Sequence, residues 1–123
     1  MEHRPADSLT LTFDSRSDLA ERRAEIRRWM RQQRVDDGYA DDVLLACGEA
    51  VGNALEHGSP PVMVEMSWED GDLLTIVVRD AGTWRVSAAL PPRGLGLPIM
   101  MALMDNVTVD TTDGTAIRLS RRL

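Results

Sequence analysis

A carboxylate and a carboxamide, Glu49 and Asn53, stand four residues apart within Asp-Asp-Val-Leu-Leu-Ala-Cys-Gly-Glu-Ala-Val-Gly-Asn-Ala-Leu-Glu-His-Gly, residues 41–58. On a helix of about 3.6 residues per turn they project from nearly the same side. Oxygen donors stacked one turn apart suit a hard cation such as magnesium, which usually keeps waters and substrate phosphates as well. The carboxylate can also accept a proton from an attacking hydroxyl. Gly48, Ala50, Gly52 and Ala54 flank the pair, and such small neighbours leave room for close approach to the helix surface. A polar pair on an amphipathic helix is also how an ordinary solvated face reads, so the pair gains meaning only from partners elsewhere in the chain.

Three later spots supply them. Asp80 ends an apolar run and is followed by Gly82. A carboxylate at a strand end, with glycine allowing close approach, suits an amino group such as the exocyclic amine of adenine. Arg93-Gly94-Leu95-Gly96 stands at a predicted helix start, where free backbone amides favour an anion. It is not a dinucleotide fingerprint, because a Pro-bearing loop precedes it and Ile99 occupies the third glycine position. Gly114-Thr115 lies in the last predicted hairpin. Each spot alone reads as a turn. Together they outline a nucleotide site with Asp80 and Thr115 at the base end, Asn53 on a metal, and Gly94 and Gly96 on phosphates.

The composition narrows how such a site can work. The chain has 123 residues and a net charge of -6, which suits one domain and disfavours generic nucleic-acid binding. All 14 basic side chains are Arg, which excludes a Walker-type loop and a eukaryotic-type protein kinase, both of which need a Lys. No apolar run approaches a membrane span and no secretory pattern opens the chain, so a cytoplasmic location is expected. The single Cys47 falls on the apolar side of the central helix and reads as a packed thiol.

The elements that position these residues follow from periodicity. Residues 1–7 read as a flexible polar tail. Leu9, Leu11 and Phe13 alternate with polar residues as a strand, placed to be a sheet edge. Ser15 or Ser17 caps a helix over about 17–34, with Leu19, Ile26, Trp29 and Met30 inward and a face rich in Arg outward. That face reads as solvated and partly paired with Glu21 and Glu25; its sharper reading is a docking surface for an acidic partner. Val35–Ala40 reads as a loop, and Asp41 or Asp42 as the cap of the central helix, which ends at Gly58 before Pro60 and Pro61. Residues 61–68 and 73–79 form a hairpin around Asp70-Gly71, its second strand apolar enough to be central. A helix from Gly94 to about Met104 and a hairpin of residues 107–111 and 116–119 complete the chain. The order β-α-α-β-β-α-β-β predicts an α+β two-layer sandwich, one largely antiparallel sheet with three helices on one face.

The series Glu49-x-x-x-Asn53-Ala54-x-x-His57-Gly58, Asp80-x-Gly82, Gly94-x-Gly96-Leu97 and Gly114-Thr115 resembles the four boxes of the histidine-kinase-like ATPases, the Bergerat-fold superfamily. Within it the chain is most similar to the bacterial anti-sigma-factor serine kinases. The resemblance spans nearly the whole chain and implies one ATPase domain over residues 8–123. It also implies ATP with Mg2+ as cofactors, a serine on an anti-anti-sigma antagonist as substrate, and a sigma factor sequestered in the other state. A homodimer is a further expectation; direct nucleic-acid or membrane binding is not. Carried over by motif, Glu49 is the general base and Asn53 the magnesium ligand. Asp80 binds the adenine amine, with Thr115 in support and Gly82 giving clearance. Gly94 and Gly96, with Arg93 and Leu95 beside them, hold the phosphates.

The chain departs from the pattern at two places. Trp84 stands where many relatives have a second glycine, and the lid between Trp84 and Arg93 is short and has no Lys. Arg85 or Arg93 is the substitute phosphate ligand, and Trp84 either stacks on the nucleotide or covers the sheet edge. These departures motivate an alternative, a nucleotide-binding regulatory module acting by partner binding with little or no kinase activity. A sensor histidine kinase is disfavoured because His3 lies in the tail, His57 belongs to the helix motif, and no dimerisation helices precede the domain. A gyrase-like or chaperone-like ATPase is disfavoured because no transducer domain follows Leu123.

Overall fold

A computed structural model describes residues 7–82 and 96–123. Its elements are β1 (Leu9–Phe13), α1 (Leu19–Gln32), α2 (Asp37–His57), β2 (Val62–Glu69), β3 (Leu73–Asp80), α3 (Leu97–Leu103), β4 (Asn106–Asp110) and β5 (Thr115–Arg122). A short 3-10 turn over Arg16–Asp18 leads into α1. The strands form one sheet in the order β1-β2-β3-β5-β4, every pairing antiparallel. This is the predicted α+β sandwich, with β1 at one edge.

Helix α2 holds the fold together because its apolar stripe is long. Ala40, Val43, Leu44, Cys47, Val51 and Ala54 are all buried, at the spacing one helical face requires. The stripe reaches back to Ala40, and for that reason the helix starts at Asp37, with Asp36 in the N-cap position, instead of after a loop ending at residue 40. Asp41 and Asp42 are therefore helical residues, not caps. Asp41 pairs with Arg27 of α1 at 2.7 Å, and Asp42 with Arg121 of β5 at 2.8 Å. Gly58 does end the helix, its N–H returning to the carbonyl of Ala54.

Strand β3 is central, as its apolar run predicts. Leu74, Ile76 and Val78 meet the helices, and Thr75 and Val77 on the other face are nearly as covered. Glu69 stands opposite Leu73 and Arg118 opposite Val77, so their ion pair crosses the stretch holding Thr75. Helix α1 is tied to the sheet by Trp29, whose ring stacks on Trp68 of β2 at 6.3 Å, while Trp68 Nε1–H donates to Gln33 Oε1 at 3.0 Å. The Arg-rich face of α1 is paired in part: Arg22 with Glu25, Arg27 with Asp41 and Arg31 with Asp37. Two of those three carboxylates come from α2, so much of the face serves the α1–α2 seam.

Cys47 is the packed thiol its position predicts. Burial pushes it up to about 12, against a smaller opposing pull from Arg23. Because the thiolate is the reacting species, Cys47 in the folded protein is expected to react with an aromatic disulfide reagent at pH 8 about 100-fold more slowly than in urea, the rate being set by opening of the α1–α2 seam. Equal rates in both conditions would place the thiol at the surface.

Candidate functional site

Asp80 is the last residue of β3 and is 8% exposed. Its Oδ1 accepts the N–H of Gly82 at 2.7 Å and that of Ser59 at 3.1 Å. The carboxylate thus ties the turn after β3 to the segment that leaves α2. Three glycines make this closeness feasible. A Cβ on Gly58 would lie 2.3 Å from the Asp80 carboxyl carbon, one on Gly82 2.9 Å from Ser59 N, and one on Gly114 2.5 Å from Asp80 O. Gly114 also takes the left-handed φ of 72° that turns the last hairpin. Thr115 stands opposite Asp80 in the β3–β5 register, and its hydroxyl donates to the Gly82 carbonyl at 2.8 Å.

The structure therefore brings Asp80, Gly82 and Thr115 together. It adds Gly58 and Ser59 as residues whose part was not foreseen, and gives Gly114, named beside Thr115 in the sequence, the task of clearing the Asp80 carbonyl. Gly58 had a signal, since it closes the helix motif, but a helix-ending glycine explains itself locally. Only the folded chain shows that Asp80 needs its space as well.

Glu49 and Asn53 lie further back along α2. From Glu49 to Gly58 the helix advances nine residues, about 14 Å at 1.5 Å per residue. Asn53 is 4% exposed, and Glu49 is half-buried. The Glu49 carboxylate rests against Gly96, the residue just before α3, where an added Cβ would fall 2.5 Å from Oε2. The flanking glycines leave room at the helix surface. A Cβ on Gly48 would come nearest to the Arg23 guanidinium at 3.9 Å. Gly48 thus faces α1, and a Cβ on Gly52 would meet nothing within 4 Å.

His57 ends α2 with its side chain exposed, 3.9 Å from Glu56, as a helix-end residue would. Helix α3 begins at Leu97, later than the expected Gly94, with Gly96 in the N-cap position. Arg93, Gly94, Leu95, Trp84 and Arg85, which carry the expectations for phosphate contacts and the lid, lie outside the described residues.

The donors suit a metal that arrives with its ligand. Among the described residues no three His, Cys, Asp or Glu side chains cluster closely enough to hold an ion by themselves. Mg2+ commonly binds through one or two protein oxygens together with substrate phosphates and water. The single carboxamide of Asn53, one turn from Glu49, fits that mode and not a protein-built cage.

Residues 12–121 match the family model described as the histidine kinase-like ATPase domain. Among solved structures, the chain is similar to the crystal structure of the RsbU and RsbW domains of Rv1364c from Mycobacterium tuberculosis, with a TM-score of 0.75 and 22% identity. That match covers 97% of this chain and 32% of the other, so this chain spans about a third of that protein's length. It is also similar to the mycobacterial sensor histidine kinase MprB, with a TM-score of 0.52 and 20% identity over 94% of this chain and 100% of the other. At such identities these likenesses are likenesses of fold. Among the described residues no helix is long and apolar enough to cross a membrane.

Proposed function

Because this chain belongs to the histidine kinase-like ATPase domain family, we propose that it is an ATP-dependent protein-serine kinase. It phosphorylates an anti-anti-sigma antagonist and, in its other state, sequesters a sigma factor. The observation that carries this reading is the arrangement along α2. A carboxylate and a carboxamide stand one turn apart on the helix whose C-terminal end is tied to a buried Asp80. The likeness in fold to a chain containing an RsbW domain supports the anti-sigma part of the reading. In this reading residues 8–123 form one ATPase domain, working in the cytoplasm.

The roles are those the motif resemblance implies, and the positions of Glu49, Asn53, Asp80, Gly82 and Thr115 support them. Asp80 accepts a hydrogen bond from the adenine amine, and its own two backbone donors hold it still. Thr115 fixes the Gly82 carbonyl and so the turn beneath the base, and Gly82 keeps that turn free of a side chain. Asn53 ligates Mg2+, which supplies charge neutralisation at the phosphates. Gly96, just before α3, contacts the phosphates together with Gly94, Arg93 and Leu95. Glu49 takes the proton from the serine hydroxyl. Phosphoryl transfer needs mainly positioning and charge compensation, so a site without a covalent intermediate is sufficient.

Incubation with γ-labelled ATP, Mg2+ and candidate serine-bearing antagonist proteins tests the reading. Labelled phosphoserine on one of them is expected. ATP affinity by calorimetry with no phosphoserine on any antagonist that binds would instead favour a regulatory module acting by partner binding alone. The metal assignment has its own consequence. For Asn53→Ala, the gain in ATP affinity that Mg2+ confers on wild type is expected to shrink about tenfold, the loss of one charge-assisted contact. A magnesium effect of unchanged size would move the ion to other ligands.

A further inference from the structure

Gly96 makes a contact that a phosphate-binding glycine does not need. It holds φ 64° and ψ 9°, in the left-handed region. A Cβ there would meet Glu49 Oε2 at 2.5 Å, Glu49 Cβ at 3.0 Å and Glu49 Cδ at 3.1 Å. The whole length of the Glu49 side chain therefore lies against bare Gly96 backbone. Neither partner is loosely held. The Gly96 carbonyl accepts the N–H of Met100 at 3.0 Å, and Met100 is fully buried. The far end of α3 is fixed by Arg121, which donates to Leu103 O at 2.9 Å and to Asp42 Oδ2 at 2.8 Å, with its guanidinium 4.9 Å from the Tyr39 ring centre. Asp42 and Glu49 are both on α2, so α3 is braced on the helix that carries the carboxylate.

A glutamate has three rotatable bonds, and proton acceptance needs its carboxylate held within hydrogen-bond reach of the reacting group. A wall on one side removes rotamers without supplying a competing hydrogen-bond donor side chain. We propose that Gly96 is a positioning residue for the Glu49 carboxylate. Its missing side chain and left-handed turn set where the proton acceptor lies. The inference rests on reading Glu49 as the base, and it assigns Gly96 a task separate from phosphate contact.

The test uses the full chain with 13C-labelled glutamate, the Glu49 carboxyl resonance being assigned by its loss in Glu49→Gln. Gly96→Asn is the first variant, because asparagine enters the left-handed region more readily than other side chains while adding the same Cβ. Gly96→Ala is the second. In both, the Glu49 carboxyl resonance is expected to move. Labelled-phosphate transfer at saturating ATP should fall about tenfold, a loss in turnover on top of any loss of ATP affinity from the phosphate contact that Gly96 also makes. On a Glu49→Gln background the Gly96 substitution should cost no further transfer. A Glu49 carboxyl resonance superimposable on wild type in both variants would overturn the inference, whatever happens to ATP affinity. A different result would undo the underlying reading: Glu49→Gln transferring phosphate at the wild-type rate, with the Glu49 resonance still responding to Gly96.

Discussion

Glu49→Gln is expected to bind ATP within about threefold of wild type and to transfer phosphate to its serine antagonist about 10²–10⁴-fold more slowly, the usual range for loss of a positioned general base. This is about 3–5 kcal/mol of transition-state stabilisation. The asymmetry between binding and transfer follows from the geometry. Glutamine has the size of glutamate, so the packing against Gly96 survives. Asn53 stands a turn away and Asp80 beyond the end of α2, so the proposed metal and adenine contacts are left in place. What disappears is the proton acceptor. Single-turnover transfer of γ-labelled phosphate at saturating ATP reads the effect. Transfer at the wild-type rate would remove Glu49 from the chemistry and leave it as a packing partner of α3.

How much of this was legible beforehand depends on the kind of interaction. Periodicity records which face of an element is buried, and it gave β1, the β2–β3 hairpin, the burial of β3 and the stripe of α2 with small errors at the ends. The error at the start of α2 is instructive. Asp41 and Asp42 look like caps because acidic residues favour helix starts, but Ala40 continues the buried stripe one turn earlier. The two aspartates are instead spent on Arg27 and Arg121, which lie 14 and 79 residues away in sequence. Nothing local announces such pairs.

Glycines show the same limit. A glycine in sequence signals room, but not whose room. Gly48 reads as space beside Glu49 and faces Arg23; Gly58 reads as a helix stop and also clears Asp80; Gly96 reads as a phosphate glycine and lies on Glu49. For the candidate site, the order and chemistry of the motif residues were legible. That Gly58 and Ser59 would join Asp80, Gly82 and Thr115 was not, because it arises when the end of α2 meets the end of β3 and the last hairpin.

That convergence also makes Asp80→Asn the most informative change at the base end of the site. Asp80→Ala would remove the acceptor of the part-buried Ser59 and Gly82 N–H groups, at about 0.5–1.5 kcal/mol for each bond lost, and would confuse binding with folding. Asparagine avoids this. Its carbonyl oxygen can take the place of Oδ1 and keep both donors satisfied, so the melting temperature should change little. A carboxylate offers about four acceptor sites, whereas the amide nitrogen is a donor. An adenine amine approaching that side would meet another donor, and ATP affinity is expected to fall about 10–100-fold, the worth of a buried hydrogen bond to a charged group. GTP, which carries an acceptor oxygen where adenine carries its amine, should lose little or gain. The ratio of ATP to GTP affinity therefore narrows, and because it compares two ligands on one folded protein it is insensitive to any small loss of stability. Calorimetric titration of both nucleotides against wild type and variant gives the ratio directly. An unchanged ratio would mean that the purine is recognised elsewhere and that Asp80 serves only to join β3 to the end of α2.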